Sequence, residues 1–168
     1  MKQAIPGVTP SSVAEARIMT VWPSIAKFGI ARTLGRLYSI QIGWLFLTVG
    51  NLLALAFAPL SAALYFLRVL PGTGERYTLT NRRVIIERGL EGREQQSVAL
   101  DRFDTIEIYV RPGQEWYHAG DLIFRHGTTE TFRLEAVSRP EGFRQACLKA
   151  HHAYQSVKRA LEREAATA

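Results

Sequence analysis

Apolar residues are concentrated in one long segment in the first half of the chain. No charged residue occurs between Leu37 and Leu67, and within this interval residues 42–67 (IGWLFLTVGNLLALAFAPLSAALYFL) are apolar on every side of a helix. A helix of about 20 apolar residues crosses a bilayer, so this stretch predicts a membrane segment with some tilt. Trp44 near one end and Tyr65 near the other fit interfacial aromatic belts. We interpret residues 41–70 as a transmembrane or re-entrant segment.

The choice between a single crossing and a re-entrant hairpin depends on length and charge. Pro59 should kink the segment, and Gly50-Asn51 can form a turn. Two complete crossings need about 40 residues, which favours a single membrane helix with the C-terminal part in the cytoplasm. A hairpin stays open because both flanks are basic. The basic residues are Lys27, Arg32 and Arg36 before the segment, and Arg76, Arg82, Arg83 and Arg88 after it.

Residues 1–40 form an N-terminal segment in which an amphipathic helix is predicted just before the apolar segment. Ile30, Ala31, Leu34, Leu37 and Tyr38 fall on one face, and the opposite face carries Arg32, Thr33, Arg36 and Ser39. A cationic face beside an apolar one is typical of helices that lie in a membrane interface. The interfacial residues would be Arg32, Leu34, Arg36, Leu37 and Tyr38. The alternative is a surface helix packed on the rest of the protein.

After residue 74 the apolar residues alternate with a period of two, which predicts strands. We expect strands near residues 76–80, 84–88, 97–100, 105–110, 121–125 and 131–136. A helix over 139–163 follows, with an apolar stripe of Phe143, Cys147, Ala150, Tyr154, Val157 and Leu161. The predicted class is α+β: residues 74–165 form an antiparallel β-sandwich or open barrel that the C-terminal helix caps.

Several phrases of this region resemble one known family. They are RYTLTNRRVIIERGL, with Tyr77, Leu79, Thr80, Asn81 and Arg83 as its most recognisable residues, then SVALDRFDTIEI and AGDLIFRHG. The chain is similar to bacterial pleckstrin-homology-like domains of the YdbS-like group, which are membrane-associated. The resemblance implies a bent sandwich of seven strands capped by a helix, with residues 17–21 as the seventh strand. It also implies a binding module with neither catalytic residues nor a cofactor.

The charge of the chain favours anionic partners. The 168 residues carry a formal net charge of +6. Arg82, Arg83, Arg88 and Arg93 surround the first predicted hairpin and could contact phosphate groups of lipids. Nucleic acid is not expected, because most strand aromatics should face the core and no recognition motif is present.

The loop at residues 111–121 holds the remaining candidate residues. Trp116 and Tyr117 belong to residue types that are enriched at binding hot spots, so they could contact a protein partner or the bilayer. The same loop also contains Glu115, His118 and Asp121. An alternative interpretation is that these three residues form a hydrolase-like site. No zinc spacing, nucleophile motif or phosphate loop supports catalysis, and neither metal nor cofactor is expected.

These observations lead to one expected function and two alternatives. We expect a membrane-anchored, non-catalytic binding or scaffold module at the bacterial cell membrane, with the β-rich domain in the cytoplasm. Its partners would be membrane lipids and either another envelope protein or a second copy. The first alternative is a sensor of anionic lipid headgroups that uses the arginines. The second is the hydrolase-like site.

Overall fold

Seven antiparallel strands and a long C-terminal helix form the sandwich. The computed structural model describes residues 15–40, 42–44, 47–69, 74–89 and 91–167. The strands of the sandwich are β1 (Arg17–Val21), β4 (Glu75–Thr80), β5 (Arg83–Arg88), β6 (Arg93–Ala99), β7 (Thr105–Tyr109), β8 (Ala119–His126) and β9 (Thr129–Ser138). They pair in the orders β1-β4-β5-β6 and β7-β8-β9. This arrangement confirms the α+β class, and β1 is the seventh strand that the resemblance implies.

Alternation along each strand places one set of side chains between the two sheets. In the β4–β5 hairpin, Tyr77 lies opposite Ile86 and Leu79 opposite Val84, and Tyr77, Leu79 and Val84 are all buried. From the second sheet, Phe124 meets Phe103 edge to face, with ring centroids 5.0 Å apart. A T-shaped pair of this kind adds to the gain from burying the two rings. The core therefore follows the period-two pattern of the sequence.

The C-terminal helix α4 (Pro140–Thr167) closes the sandwich. Phe143 and Cys147 are fully buried in the core, and burial raises the pKa of the Cys147 thiol to about 12. One turn later His151 lies over Phe103, and its Nδ1 is 2.5 Å from the carbonyl oxygen of Leu100. The predicted stripe packs as far as Val157, which is half-buried, whereas Leu161 is exposed. The predicted capping helix is confirmed.

β6 begins four residues earlier than the sequence indicates. Residues 93–97 are all exposed although they pair with β5, and only Val98 is buried. An edge strand with both faces exposed needs no apolar alternation, because neither set of its side chains packs against a core. Its polar sequence REQQS therefore gave no strand signal.

The apolar segment is an insertion between two neighbouring strands of one sheet. Between β1 and β4 the chain forms α1 (Gly29–Tyr38), a hairpin of β2 (Gly43–Trp44) with β3 (Leu47–Thr48), α2 (Val49–Ala56) and α3 (Ala58–Val69). β1 and β4 are antiparallel, with Val21 opposite Tyr77 and Thr20 opposite Thr78. The insertion therefore leaves and re-enters the sandwich at the same end of the first sheet.

The expectation of a single membrane helix is not confirmed. Among the described residues, no single helix is long and apolar enough to cross a membrane, although α2 and α3 together have the required length and composition. The two helices are bent by 55° at a break beside Phe57. Pro59 in the first turn of α3 lacks an N–H and its ring excludes the carbonyl of residue 55, so the expected kink is confirmed.

The helix α1 covers the inner side of the bent pair. Ala31, Leu34 and Tyr38 are buried against Leu64, with Leu53 and Ala54 packed beside them. The amphipathic pattern is confirmed as a helix, but most of its apolar face contacts protein. Leu37 is half-buried and Arg32 partly buried, whereas Arg36 is exposed.

Candidate functional site

The helices α2 and α3 and the residue between them leave many large apolar side chains exposed. Leu55 is 75% exposed and Phe66 69% exposed, although neither lies at a chain end. The large exposed side chains of this surface are Val49, Leu52, Leu55, Phe57, Leu60, Tyr65 and Phe66. Scattered apolar residues are ordinary on a protein surface, but seven large ones between residues 49 and 66 make these two helices a candidate interaction site. We call this set the outer apolar face.

Close backbone contacts fix the insertion to the sandwich. A Cβ on Gly35 of α1 would lie 2.2 Å from the carbonyl oxygen of Gly113, and a Cβ on Gly113 would lie 2.0 Å from that of Arg32. Gly113 also has φ +90°, which favours glycine. At the other end of α1, a Cβ on Gly50 would lie 2.2 Å from the carbonyl oxygen of Tyr38. These three glycines let α1 touch both the 111–118 loop and α2.

The loop aromatics complete this attachment. Trp116 meets Tyr38 edge to face, with ring centroids 5.5 Å apart, and the Tyr117 hydroxyl donates to the carbonyl of Ala31 at 3.1 Å. Burial raises the pKa of Tyr117 to about 12. The side chain of Trp116 stays 39% exposed. Both candidate partner contacts therefore lie against α1, and their contact with another molecule stays a prediction.

Asp121 stabilises the loop from inside the protein. Its Oδ1 accepts hydrogen bonds from Gln114 Nε2 and from the backbone N–H of Ala136, both at 2.9 Å. Its Oδ2 lies 2.6 Å from Arg111 Nη2. The Gln114 side-chain oxygen in turn accepts from the Arg111 N–H at 2.8 Å. A fully buried carboxylate needs such partners, because an isolated buried charge is very costly.

The structure does not assemble the predicted hydrolase-like site. Asp121 is fully buried in the network with Arg111 and Gln114, whereas Glu115 and His118 are exposed on the loop surface. In the part of the chain that the structure describes, no group of three or more His, Cys, Asp or Glu side chains could hold a metal ion. The carboxylate therefore has a structural role in positioning the loop.

The four candidate arginines occupy two opposite ends of β5. Arg83 binds Glu15 through two hydrogen bonds of 2.9 and 3.0 Å and also contacts Glu94 at 2.8 Å. The hydrogen bonds from Arg83 lower the pKa of Glu15. Arg88 lies opposite Arg93 at the other end, about 16 Å away by strand rise. Arg82 precedes Arg83, so the patch splits into the pairs Arg82–Arg83 and Arg88–Arg93.

A buried acid on the first sheet was not found from the sequence. Glu87 is 5% exposed and contacts both Arg17 and Arg76, and it accepts a hydrogen bond from the Thr78 hydroxyl at 3.2 Å. No local signal in the sequence could show that two arginines cover it. The glycines at 35 and 113 were also missed, although a lone glycine within a helical pattern indicates a close approach.

An open groove lies between β6 and β9 at the edge of the sandwich. Its volume is about 570 Å³, and the lining includes Tyr77, Arg93, Glu94, Arg133 and Glu135. Basic and acidic side chains alternate around it, so its charge does not select an anion.

One comparison with known proteins gives a family. Residues 26–151, three quarters of the chain, match the family model described as the bacterial PH domain. The match spans α1, the apolar insertion, the strands from β4 to β9 and the first half of α4. No curated protein and no solved structure matches the chain. Domains of this type are in general non-catalytic binding modules.

Proposed function

This chain belongs to the bacterial PH domain family, and we propose that it is a membrane-anchored, non-catalytic scaffold module of the YdbS-like group. The outer apolar face carries the proposal. It lies within an interval that has no charged residue from Leu37 to Leu67, while the inner side of the same helices is packed on α1. Lipid is the surrounding that such a surface needs, because in water it stays hydrated at a cost of about 25 cal/mol per Å².

In this proposal the sandwich lies at the cytoplasmic face of a bacterial cell membrane. The glycine contacts and the aromatic loop hold α1 against both the sandwich and the lipid-embedded helices. Arg32 and Arg36 on α1 then lie near the headgroups, where basic side chains are favoured. In this proposal the protein partner is another envelope protein or a second copy of the chain. The partner contacts the exposed part of the Trp116 side chain.

Flotation of the full chain with phospholipid vesicles tests membrane anchoring. We expect the wild-type chain to float, and the double variant Leu52→Glu, Leu55→Glu to float at least about tenfold less, because charges enter hydrocarbon at high cost. Ile18→Glu is the matched control, since Ile18 is an exposed apolar residue of β1 outside the outer apolar face. A wild-type chain that stays in the aqueous fraction, or a double variant that floats normally, would contradict the proposal.

Recognition of anionic lipid is a second candidate function, and the position of Arg88 and Arg93 favours it. These two arginines face each other at the end of the first sheet where the insertion leaves β1 and returns to β4. Arg82 and Arg83 lie at the far end of the same strands. In this second proposal the pair Arg88–Arg93 contacts the lipid headgroups, because it lies at the same end of the first sheet as the insertion.

Vesicles with and without anionic lipid separate the two candidates. Each arginine near an anionic surface contributes about 1 kcal/mol, so Arg88→Gln with Arg93→Gln should weaken binding to anionic vesicles by tenfold or more. The same change at Arg82 should have little effect. Binding that depends neither on anionic lipid nor on salt concentration leaves the scaffold function alone.

A further inference from the structure

The two ends of the insertion lie on the same side of any membrane that it contacts. Thr20 pairs with Thr78 and Val21 with Tyr77 in the first sheet, so residues 22 and 75 leave from neighbouring positions. The contact extends to the far end of the strands, where the Ala16 N–H donates to the Asn81 side chain at 3.1 Å. A sheet held by these bonds stays on one side of a bilayer, because its polar backbone groups cannot be distributed across hydrocarbon.

The path available inside lipid is short. The hairpin of β2 and β3 returns to its starting point, since the Val49 N–H donates to the carbonyl of Ile42 at 2.8 Å and the Gly50 N–H to that of Ile40 at 3.0 Å. Only α2 and α3 remain, and their 8 and 12 residues measure about 12 and 18 Å along the helix axes. Together they measure about 30 Å, so a path that starts and ends on the same side is too short to cross the hydrocarbon core and return.

The bend of α2 and α3 also suits shallow insertion. The axes of α2 and α3 are bent by 55°, so the two helices do not form an antiparallel hairpin, in which they would point in opposite directions. Both helices pack their inner sides on α1, through Leu53 and Ala54 of α2 and Leu64 of α3. The Tyr38 hydroxyl lies 3.1 Å from that of Ser61 on α3. Two helices held along one neighbouring helix lie side-on to the protein, and their apolar residues point away from it.

We infer that α2 and α3 insert into a single leaflet, so that the protein is a monotopic membrane protein. The lipid of that leaflet covers the outer apolar face. This inference rests on the proposed membrane anchoring and adds its geometry. The bend at Phe57–Ala58 then lies within the bilayer, and both the sandwich and residues 15–40 stay on one side.

Accessibility labelling of the full chain in bacterial membranes tests the geometry. Gln95→Cys on the exposed edge strand β6 and Ala58→Cys at the bend are made as separate variants. The native Cys147 is buried in the sandwich core, so it adds little background. A membrane-impermeant maleimide is applied to right-side-out vesicles and to inverted vesicles.

We expect Gln95→Cys to react in inverted vesicles alone and Ala58→Cys to react from neither side until detergent is added. A third variant, Ala16→Cys beside β1, should react from the same side as Gln95→Cys. Reaction of Ala58→Cys in right-side-out vesicles would show that the insertion crosses both leaflets. Reaction of Ala16→Cys and Gln95→Cys from opposite sides would show a single crossing. Either result overturns the single-leaflet inference while membrane anchoring holds.

Spin labels on Leu55→Cys and Phe66→Cys give the depth and separate the remaining outcomes. In bilayers, both labels should be accessible to oxygen at a depth of less than about 15 Å, as half of the hydrocarbon core requires. A chain that remains in the aqueous fraction after ultracentrifugation refutes the proposed anchoring itself. If the labels instead report contact with each other in dimers without lipid contact, the outer apolar face binds a second copy and the inference is wrong.

Discussion

Phe124 and Phe66 are the same residue type in two regions of one chain, with opposite surroundings. Phe124 is fully buried between Phe103 and Phe132, whereas Phe66 on α3 is 69% exposed. The sandwich completes its own apolar core and pairs its charges, at the surface as in Arg83 with Glu15 and in the interior as in Arg111 with Asp121. The inserted helices bury one side on α1 and leave the other apolar. The exposed apolar side chains of this region are the ones that, in our proposal, lipid covers.

Removal of each phenyl ring should break a different property. Phe124→Ala should lower the free energy of unfolding by about 3–5 kcal/mol, as ring removal in a packed core does. Phe66→Ala should lower it by less than about 1 kcal/mol, because little protein packing is lost, and should instead weaken vesicle binding about tenfold. Urea unfolding in one detergent and vesicle flotation measure the two effects. Equal losses of stability would contradict the contrast between the regions.

The glycine contact between the two regions should be the next most sensitive point. Gly35→Val inserts a branched side chain where even a Cβ would lie 2.2 Å from the Gly113 carbonyl oxygen, so we expect a loss of about 1–3 kcal/mol. Relative to the wild type, amide hydrogen exchange in this variant should accelerate more in α1 than in β8.

Gly142→Ala is the matched control for this variant, since a Cβ there has no heavy atom within 4 Å. It should be neutral or stabilise α4 by up to about 1 kcal/mol, through helix propensity. Unchanged protection of α1 in Gly35→Val would show that this contact does not hold the insertion.

The surface ion pair of Glu15 and Arg83 should give the smallest effect, and one that depends on pH. The folded state lowers the pKa of Glu15, so the stabilisation is complete above the unfolded value near 4.3 and disappears as pH falls through the folded value. Both side chains are partly exposed, so Glu15→Gln should cost less than about 1 kcal/mol at pH 7.

Unfolding of the wild type and of Glu15→Gln should therefore differ between pH 5 and 8 and converge below about pH 4. Glu91→Gln is the control, because the pair of Glu91 with Arg93 is mostly exposed and should have almost no effect at any pH. A difference between wild type and Glu15→Gln that grows as the solution becomes more acidic would contradict the assigned sign.

Local patterns predicted most of the sandwich. The β4–β5 hairpin around Asn81, the strands β7 to β9 and the helix α4 all appear where alternation or a stripe of period 3.6 indicated them. The polar edge strand β6 escaped because it buries almost nothing, and the burial of Glu87 escaped because it depends on arginines of other strands. The sequence predicted that all four candidate arginines lie near one hairpin. It could not show that they divide into two pairs at opposite ends of β5.

By itself, the sequence determined that the chain has one uncharged apolar segment, a β-rich part of period two and a capping helix, because each of these is recorded in the spacing of neighbouring residues. Only the tertiary structure decided between which strands of the sandwich the apolar segment is inserted. The pairing of Val21 with Tyr77 joins residues far apart in the chain, and strand pairing of this kind depends on backbone hydrogen bonds that any sequence can form. That one pairing places both ends of the apolar segment at the same end of one sheet, so the segment is an insertion that leaves the sandwich and returns to it.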